Sequence, residues 1–259
     1  MSWMIFPFIG VGSAAFWLTG TFSAYKKWDS RLTTVLFILG SLIFGGFVAA
    51  MWVHLDRPPL RTLGETRLWY SLFIPLIGLF AYRRWKYFWL LAYSAGMAVM
   101  FITINIMHPE AMNKALMPAL KSLWFVPHVI VYLFAYAILS ASSVVAIQGL
   151  IQPQKSLNLL KVADHLVNVG TAFLTLGLLF GALWAKEAWG HYWTWDPKET
   201  WAFITWLSYM VYIHYRHFHP KKENVALWTL AIAFIVLLIC WFGINYLPSA
   251  QMSVHTYTS

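Results

Sequence analysis

Residues 123–151 read LWFVPHVIVYLFAYAILSASSVVAIQGLI, twenty-nine positions without a lysine, arginine, aspartate or glutamate. An uncharged apolar run of about 20 residues is enough to carry a helix across a bilayer core of roughly 30 Å. This stretch therefore decides the class: the chain is read as spanning a membrane. Composition agrees, with 60% hydrophobic and only 10% charged residues among 259, where a soluble domain carries roughly 25% charged residues. Comparable runs cover Ser2–Tyr25, Leu32–Val53, Tyr87–Met107, Leu166–Ala185 and Val225–Leu247. A shorter one, Leu68–Tyr82, needs snorkelling flanks, and another runs from Pro197 to about Tyr215. The expectation is an all-α polytopic membrane protein of about eight transmembrane helices, with connections too short for a separate soluble domain. Residues 1–259 are read as a single integral membrane domain.

Lysine and arginine concentrate on the cytoplasmic side of membrane proteins. One set of connections holds Lys26, Lys27, Arg31, Arg83, Arg84, Lys86, Lys155, Lys161, Arg216, Lys221 and Lys222, eleven of the eighteen basic residues. The opposite set holds Arg57, Arg61, Arg67, Lys114, Lys121, Lys186 and Lys198, together with six of the nine acids. The first set is assigned to the cytoplasm, which puts both termini outside. Lys26 and Lys27 follow the first apolar run and no basic cluster precedes it, so it is read as a retained span rather than a signal peptide. The net charge of +9 is then mostly a topology signal and an attraction to anionic lipid. Basic residues scattered over short turns exclude a nucleic-acid face. The single cysteine, Cys240, excludes an internal disulfide and a cysteine-pair metal site.

Residues 189–201 read WGHYWTWDPKETW, four tryptophans in thirteen positions on the outer side. Gly190 permits a turn, Asp196 can cap a helix, Pro197 suits its first turn, and Glu199 occupies the reciprocal position of a capping box. The stretch is thus an outer connection that becomes the seventh span. Tryptophan belts are ordinary at that depth, but belts are spread over many helices and this cluster is not. Elsewhere on the outer side, DRPPLRTLGETR (56–67) reads as a loop and helix start with Glu65 close to the next span. HPEAMNKALMPALKS (108–122) suits a short helix lying on the surface.

The topology sorts the nine histidines. His54, His108, His128, His191 and His255 lie outside; His165, His214, His217 and His219 lie inside. An ionisable group at the mouth of a long apolar helix is costly, which singles out His128. His255 shares its side of the membrane with the tryptophan loop. Two neutral imidazoles above an aromatic wall can supply both axial bonds of a haem iron. His214 stands eighteen residues beyond Asp196, roughly 27 Å along a helix, so it cannot ligate the same iron. It marks a possible second, inner site, for which His165 is the only nearby second ligand and not a convincing one.

These residues resemble a known family. WGHYWTWDPKETWAFITW is similar to the WWD motif of haem-handling membrane proteins, in the form carried by the CcsA family of system II cytochrome c maturation; CcmC and CcmF share the tryptophans and the aspartate. LMPALKSLWFVPHV, YIHYR and VHTY resemble the family segments that carry the first outer histidine, a transmembrane histidine and the second outer histidine. The resemblance is specific over Met107–Ser259 and looser before it, where PPLRTLGET resembles a family loop with a proline and a glutamate. It implies that His128 and His255 are the outer axial ligands of haem b and His214 the inner one. Trp189, Trp193, Trp195, Asp196 and Trp201 would form the cofactor-binding platform, with Lys186 and Lys198 as candidates for the propionates. It further implies a holocytochrome c synthase component that moves haem outward and, with a CcsB-type partner, attaches it to the CxxCH cysteines of apocytochrome c. The membrane would be a bacterial cytoplasmic membrane or a thylakoid-type one, with the WWD loop on the outer side. The family's other transmembrane histidine belongs to the CcsB-type partner, which would account for the missing inner ligand. Thr256 replaces the usual serine, and His191 is an extra outer histidine whose role is open. The alternatives are a haem transporter or chaperone that forms no thioether bond, and a structural subunit whose tryptophans are only a belt.

Overall fold

The computed structural model describes residues 3–112 and 122–248, and every regular element among them is helical. The chain divides into two compact units, Met1–Leu116 and Met117–Ser259.

The first unit holds α1 (Phe6–Tyr25), α2 (Ser30–His54), α3 (Leu63–Trp85) and α4 (Phe88–Met107). Local chemistry sets the helix starts. The Asp29 carboxylate accepts from the Arg31 N–H at 2.8 Å before α2, and the Thr62 hydroxyl accepts from the Glu65 N–H at 3.1 Å before α3. In lipid, apolar side chains gain little by leaving one apolar medium for another, so helices associate through small residues and buried hydroxyls. Accordingly a Cβ on Gly40 would lie 2.9 Å from the Trp17 indole nitrogen, which itself donates to Ser41 at 3.3 Å.

The loop into α3 is held by charge. Glu65 is fully buried; Arg57 donates to both its oxygens, at 2.9 and 2.8 Å, and the Arg61 N–H reaches it at 2.6 Å. Partial burial, with the nearby Arg57 cation, lowers the Arg61 pKa from its ordinary value. Beyond α4, a 3-10 turn covers Pro109–Met112, and the rest of the expected surface helix (108–122) lies largely outside the described residues.

The second unit holds α5 (Phe125–Ile151), α6 (Ser156–Trp189), α7 (Pro197–Phe218) and α8 (Glu223–Trp241). The opening run of sequence is its centre: 72% of the most apolar window of α5 is buried, against 33% for α6 and for α8. Glycines on α6 admit α5 side chains, with Gly170 against Leu139, Gly177 against Tyr132 and Gly181 against His128. α7 is seated differently. Its buried side chains are Thr205, Tyr209 and Tyr212, all hydroxyl-bearing.

Among the described residues, six helical stretches are long and apolar enough to cross a membrane, those containing α1, α2, α4, α5, α6 and α8. α3 and α7, with 23 and 22 residues, are long enough but carry charges near their ends. The protein is an all-α polytopic membrane protein. Two boundaries differ most from the sequence reading. α6 begins ten residues before Leu166 because Lys161, Asp164 and His165 interrupt the apolar run without interrupting the helix. At 34 residues it is roughly 51 Å long and outruns a bilayer core of about 30 Å. α8 ends at Trp241, and a 3-10 turn at Gly243–Tyr246 replaces the last residues of the expected span.

Candidate functional site

α6 ends at Trp189, where Gly190 takes a left-handed conformation (φ 86°) that a side chain would resist. The Lys186 ammonium donates to the Gly190 carbonyl at 2.8 Å and lies 5.4 Å from the Tyr192 ring. The far end of the loop closes on the capping box read from the sequence. Glu199 accepts from the N–H groups of Thr194 (2.8 Å) and Asp196 (3.2 Å), while Asp196 accepts from the Lys198 N–H at 2.9 Å. Between these anchors Trp195 is forced to φ 61°, a costly conformation for a bulky residue, and the Thr200 hydroxyl holds its carbonyl at 3.1 Å. The loop is a braced bridge between two helices.

The tryptophans fall into two ring clusters. Trp193 and Trp195 meet edge to face at 5.7 Å, and Trp195 continues to Phe203 at 5.8 Å. Phe203 stacks on Trp206, whose indole N–H donates to Thr175 on α6 at 2.9 Å. Trp189 instead packs on Trp184, 5.0 Å between centroids. Trp184 is buried and also contacts Phe125 at 5.1 Å and His128 at 5.3 Å. Trp201 is half-buried and opens the second turn of α7. The Trp193 indole nitrogen is buried with no acceptor among the described residues, a donor suited to a carboxylate.

His128 is half-buried in the first turn of α5. Its Nδ1 lies 2.9 Å from the Gly177 carbonyl of α6, and its ring meets Tyr132 edge-on at 4.8 Å. A carbonyl oxygen only accepts, so Nδ1 carries a proton, and in the neutral form of the ring the lone pair falls to Nε2. That is the state in which an imidazole binds iron.

The remaining candidates separate. His191 is exposed in the loop. His214 is exposed near the C-terminal end of α7, its Nδ1 donating to the Met210 carbonyl at 2.8 Å. α7 runs unbroken from Pro197 to Phe218, so His214 and the tryptophan loop occupy opposite ends of one helix. His255 lies outside the described residues. Two elements escaped sequence reasoning. Trp184 precedes the motif and looks like any span residue. Asp164, in what was read as a connection, pairs with Arg216 at 2.9 Å and accepts from Tyr212 at 2.7 Å; acid and base fifty-two positions apart gave no local signal.

A helical membrane protein with a braced tryptophan loop and a carbonyl-oriented histidine beneath it defines the class. The family described as Cytochrome C assembly protein matches residues 60–250, and the chain belongs to that family. The match begins in the Pro-Pro loop, where the sequence resemblance was only loose, well before its specific part at Met107–Ser259. The chain is 30% identical over 273 residues to the cytochrome c biogenesis protein CcsA of Cuscuta reflexa, covering 90% of this chain and 87% of that one. It is 29% identical over 253 residues to that of Nymphaea alba, covering 82% of each, and 30% identical over 285 residues to that of Pyropia yezoensis, covering 88% and 87%.

Proposed function

We propose that this chain works in cytochrome c biogenesis by carrying haem b from the cytoplasmic side to the outer tryptophan loop and presenting it to apocytochrome c. Relatives named as cytochrome c biogenesis proteins CcsA support the coarse role. The observation that carries the finer one is the His128 ring, tied through Nδ1 to the Gly177 carbonyl with Trp184 on its flank. A neutral, oriented imidazole against an aromatic wall suits one axial bond of a haem iron. His255 is the second outer ligand in this reading. Trp189, Trp193, Trp195 and Trp201 form the platform, and the unpartnered Trp193 N–H is a donor for a propionate. Asp196 keeps the loop anchored to α7 through its cap.

Ligation by two histidines would fill both axial positions of the iron and so exclude oxygen. The histidine of CxxCH replaces one ligand while each cysteine thiol adds across a vinyl group, sulfur bonding to one carbon and the thiol hydrogen passing to the other. The thiols belong to the substrate; the chain contributes position and redox control. His214, exposed near the inner end of α7, is the inner ligand. Its exposure suits a histidine from a CcsB-type membrane partner completing that site.

The test is the absorption spectrum of the chain expressed with its partner. A Soret band that falls in His128→Ala, and that imidazole restores in His128→Gly, is the expected result. A chain without a Soret band, or one indifferent to His128, overturns the haem reading. Haem binding without covalent cytochrome, in the presence of partner and a CxxCH substrate, would leave a haem chaperone in place of a synthase component.

A further inference from the structure

The α6 backbone next to His128 has two properties that belong together. The Gly177 carbonyl has a lone pair beyond the one its helical bond uses, and His128 Nδ1 takes it at 2.9 Å. One turn further along, a Cβ on Gly181 would stand 2.8 Å from both Cε1 and Nδ1 of the same ring. Real Cβ atoms do not approach so closely, so the ring occupies the space that a side chain at 181 would fill. Gly177 does the same for the neighbouring ring, since its Cβ would lie 2.6 Å from Tyr132 Cδ2. Tyr132 and Trp184 contact the imidazole at 4.8 and 5.3 Å.

We infer that Gly177 and Gly181 form a positioning cradle for the outer axial ligand: the carbonyl of one sets the His128 tautomer, and the missing side chain of the other sets the ring's seat. The inference rests on the haem reading for its purpose, although the tautomer belongs to the chain alone. A carbonyl partner on the distal nitrogen fixes ring orientation and raises ligand basicity. Any side chain at 181 would push the ring off that carbonyl. Rotation about Cβ–Cγ could then exchange the two nitrogens, and the ring would present itself in more than one way. Neither glycine touches the iron; both act through His128.

Two measurements test this. In haem-free protein labelled with 15N-histidine, the His128 signals are assigned by their loss in His128→Gln. Nδ1 should carry the proton and Nε2 should have the shift of an unprotonated nitrogen; a ring protonated on Nε2, or an even mixture, overturns the cradle. In haem-loaded protein, Gly181→Ala should lower haem affinity about 10- to 100-fold, as loss of an outer-shell partner does. It should also lose the low-spin bis-histidine spectrum, with added imidazole restoring it. Gly170→Ala is the packing control. Its Cβ would press on Leu139 at 2.7 Å in the same helix interface, so it should lower Tm and leave the spectrum unchanged. If Gly170→Ala shifts the spectrum as Gly181→Ala does, or if Gly181→Ala keeps the wild-type spectrum, the cradle is wrong. A wild-type chain that binds no haem would sink the haem reading, while the nitrogen shifts would still decide the tautomer.

Discussion

Glu65 shows how much one buried carboxylate organises. It has no exposure, takes both Arg57 nitrogens, and receives the Arg61 backbone. Removing one partner of a buried pair costs more than the pair contributes, because the other charge is stranded. Glu65→Gln should therefore destabilise the protein by about 3 kcal/mol, read as a lower Tm in detergent. Trp195 presents the opposite case. The residue is 63% exposed while its backbone holds φ 61°, a left-handed conformation costing an L-residue about 1–2 kcal/mol. Trp195→Gly should leave Tm unchanged or raise it while haem retention falls. A parallel loss of both would show that the ring serves stability and not the platform. The sequence marked both residues, Glu65 beside a span and Trp195 within the cluster. It did not show that one is wholly buried and the other strained, because each depends on what the loop folds against.

Among the elements, α7 has every buried side chain hydroxyl-bearing and is seated on α6 by polar contacts. Asp164 with Arg216 and Tyr212 closes one end of its seam with α6, and Thr175 with Trp206 closes the other. Between them, Thr171 and Tyr209 are buried with hydroxyls that have no partner among the described residues. An unsatisfied buried hydroxyl costs about 1–3 kcal/mol. Tyr209→Phe should accordingly raise Tm, and Thr171→Val should do the same. The start of α7 was legible in advance, since Asp196, Pro197 and Glu199 form a cap from adjacent residues. Its seam was not, since Asp164 and Arg216 lie in different helices. The early start of α6 was also missed. Hydropathy reports which residues prefer lipid, whereas a helix continues through charged residues that favour its backbone equally well.

For the whole molecule, the charge distribution makes a prediction that a label can read. With Cys240 replaced by alanine, a membrane-impermeant maleimide should modify Tyr192→Cys in the tryptophan loop from outside intact cells. It should reach Lys221→Cys only after permeabilisation. The reverse pattern would invert the topology and remove the outer assignment of His128 with it. Family membership, drawn from a match over residues 60–250, does not depend on that outcome.

The sequence alone determined the properties that arise within one segment: solvent preference along each span, the order of the helices, the capped turn at Asp196, and the tryptophans beside it. Only the tertiary structure decided the properties that need two helices in register. Trp184 joins the wall because α5 lies against it, and His128 has one tautomer because a carbonyl forty-nine residues away is within 2.9 Å. The reason is physical. Propensity and transfer free energy are local sums, while a ring resting where a neighbour's Cβ is missing depends on a register that neither helix encodes by itself.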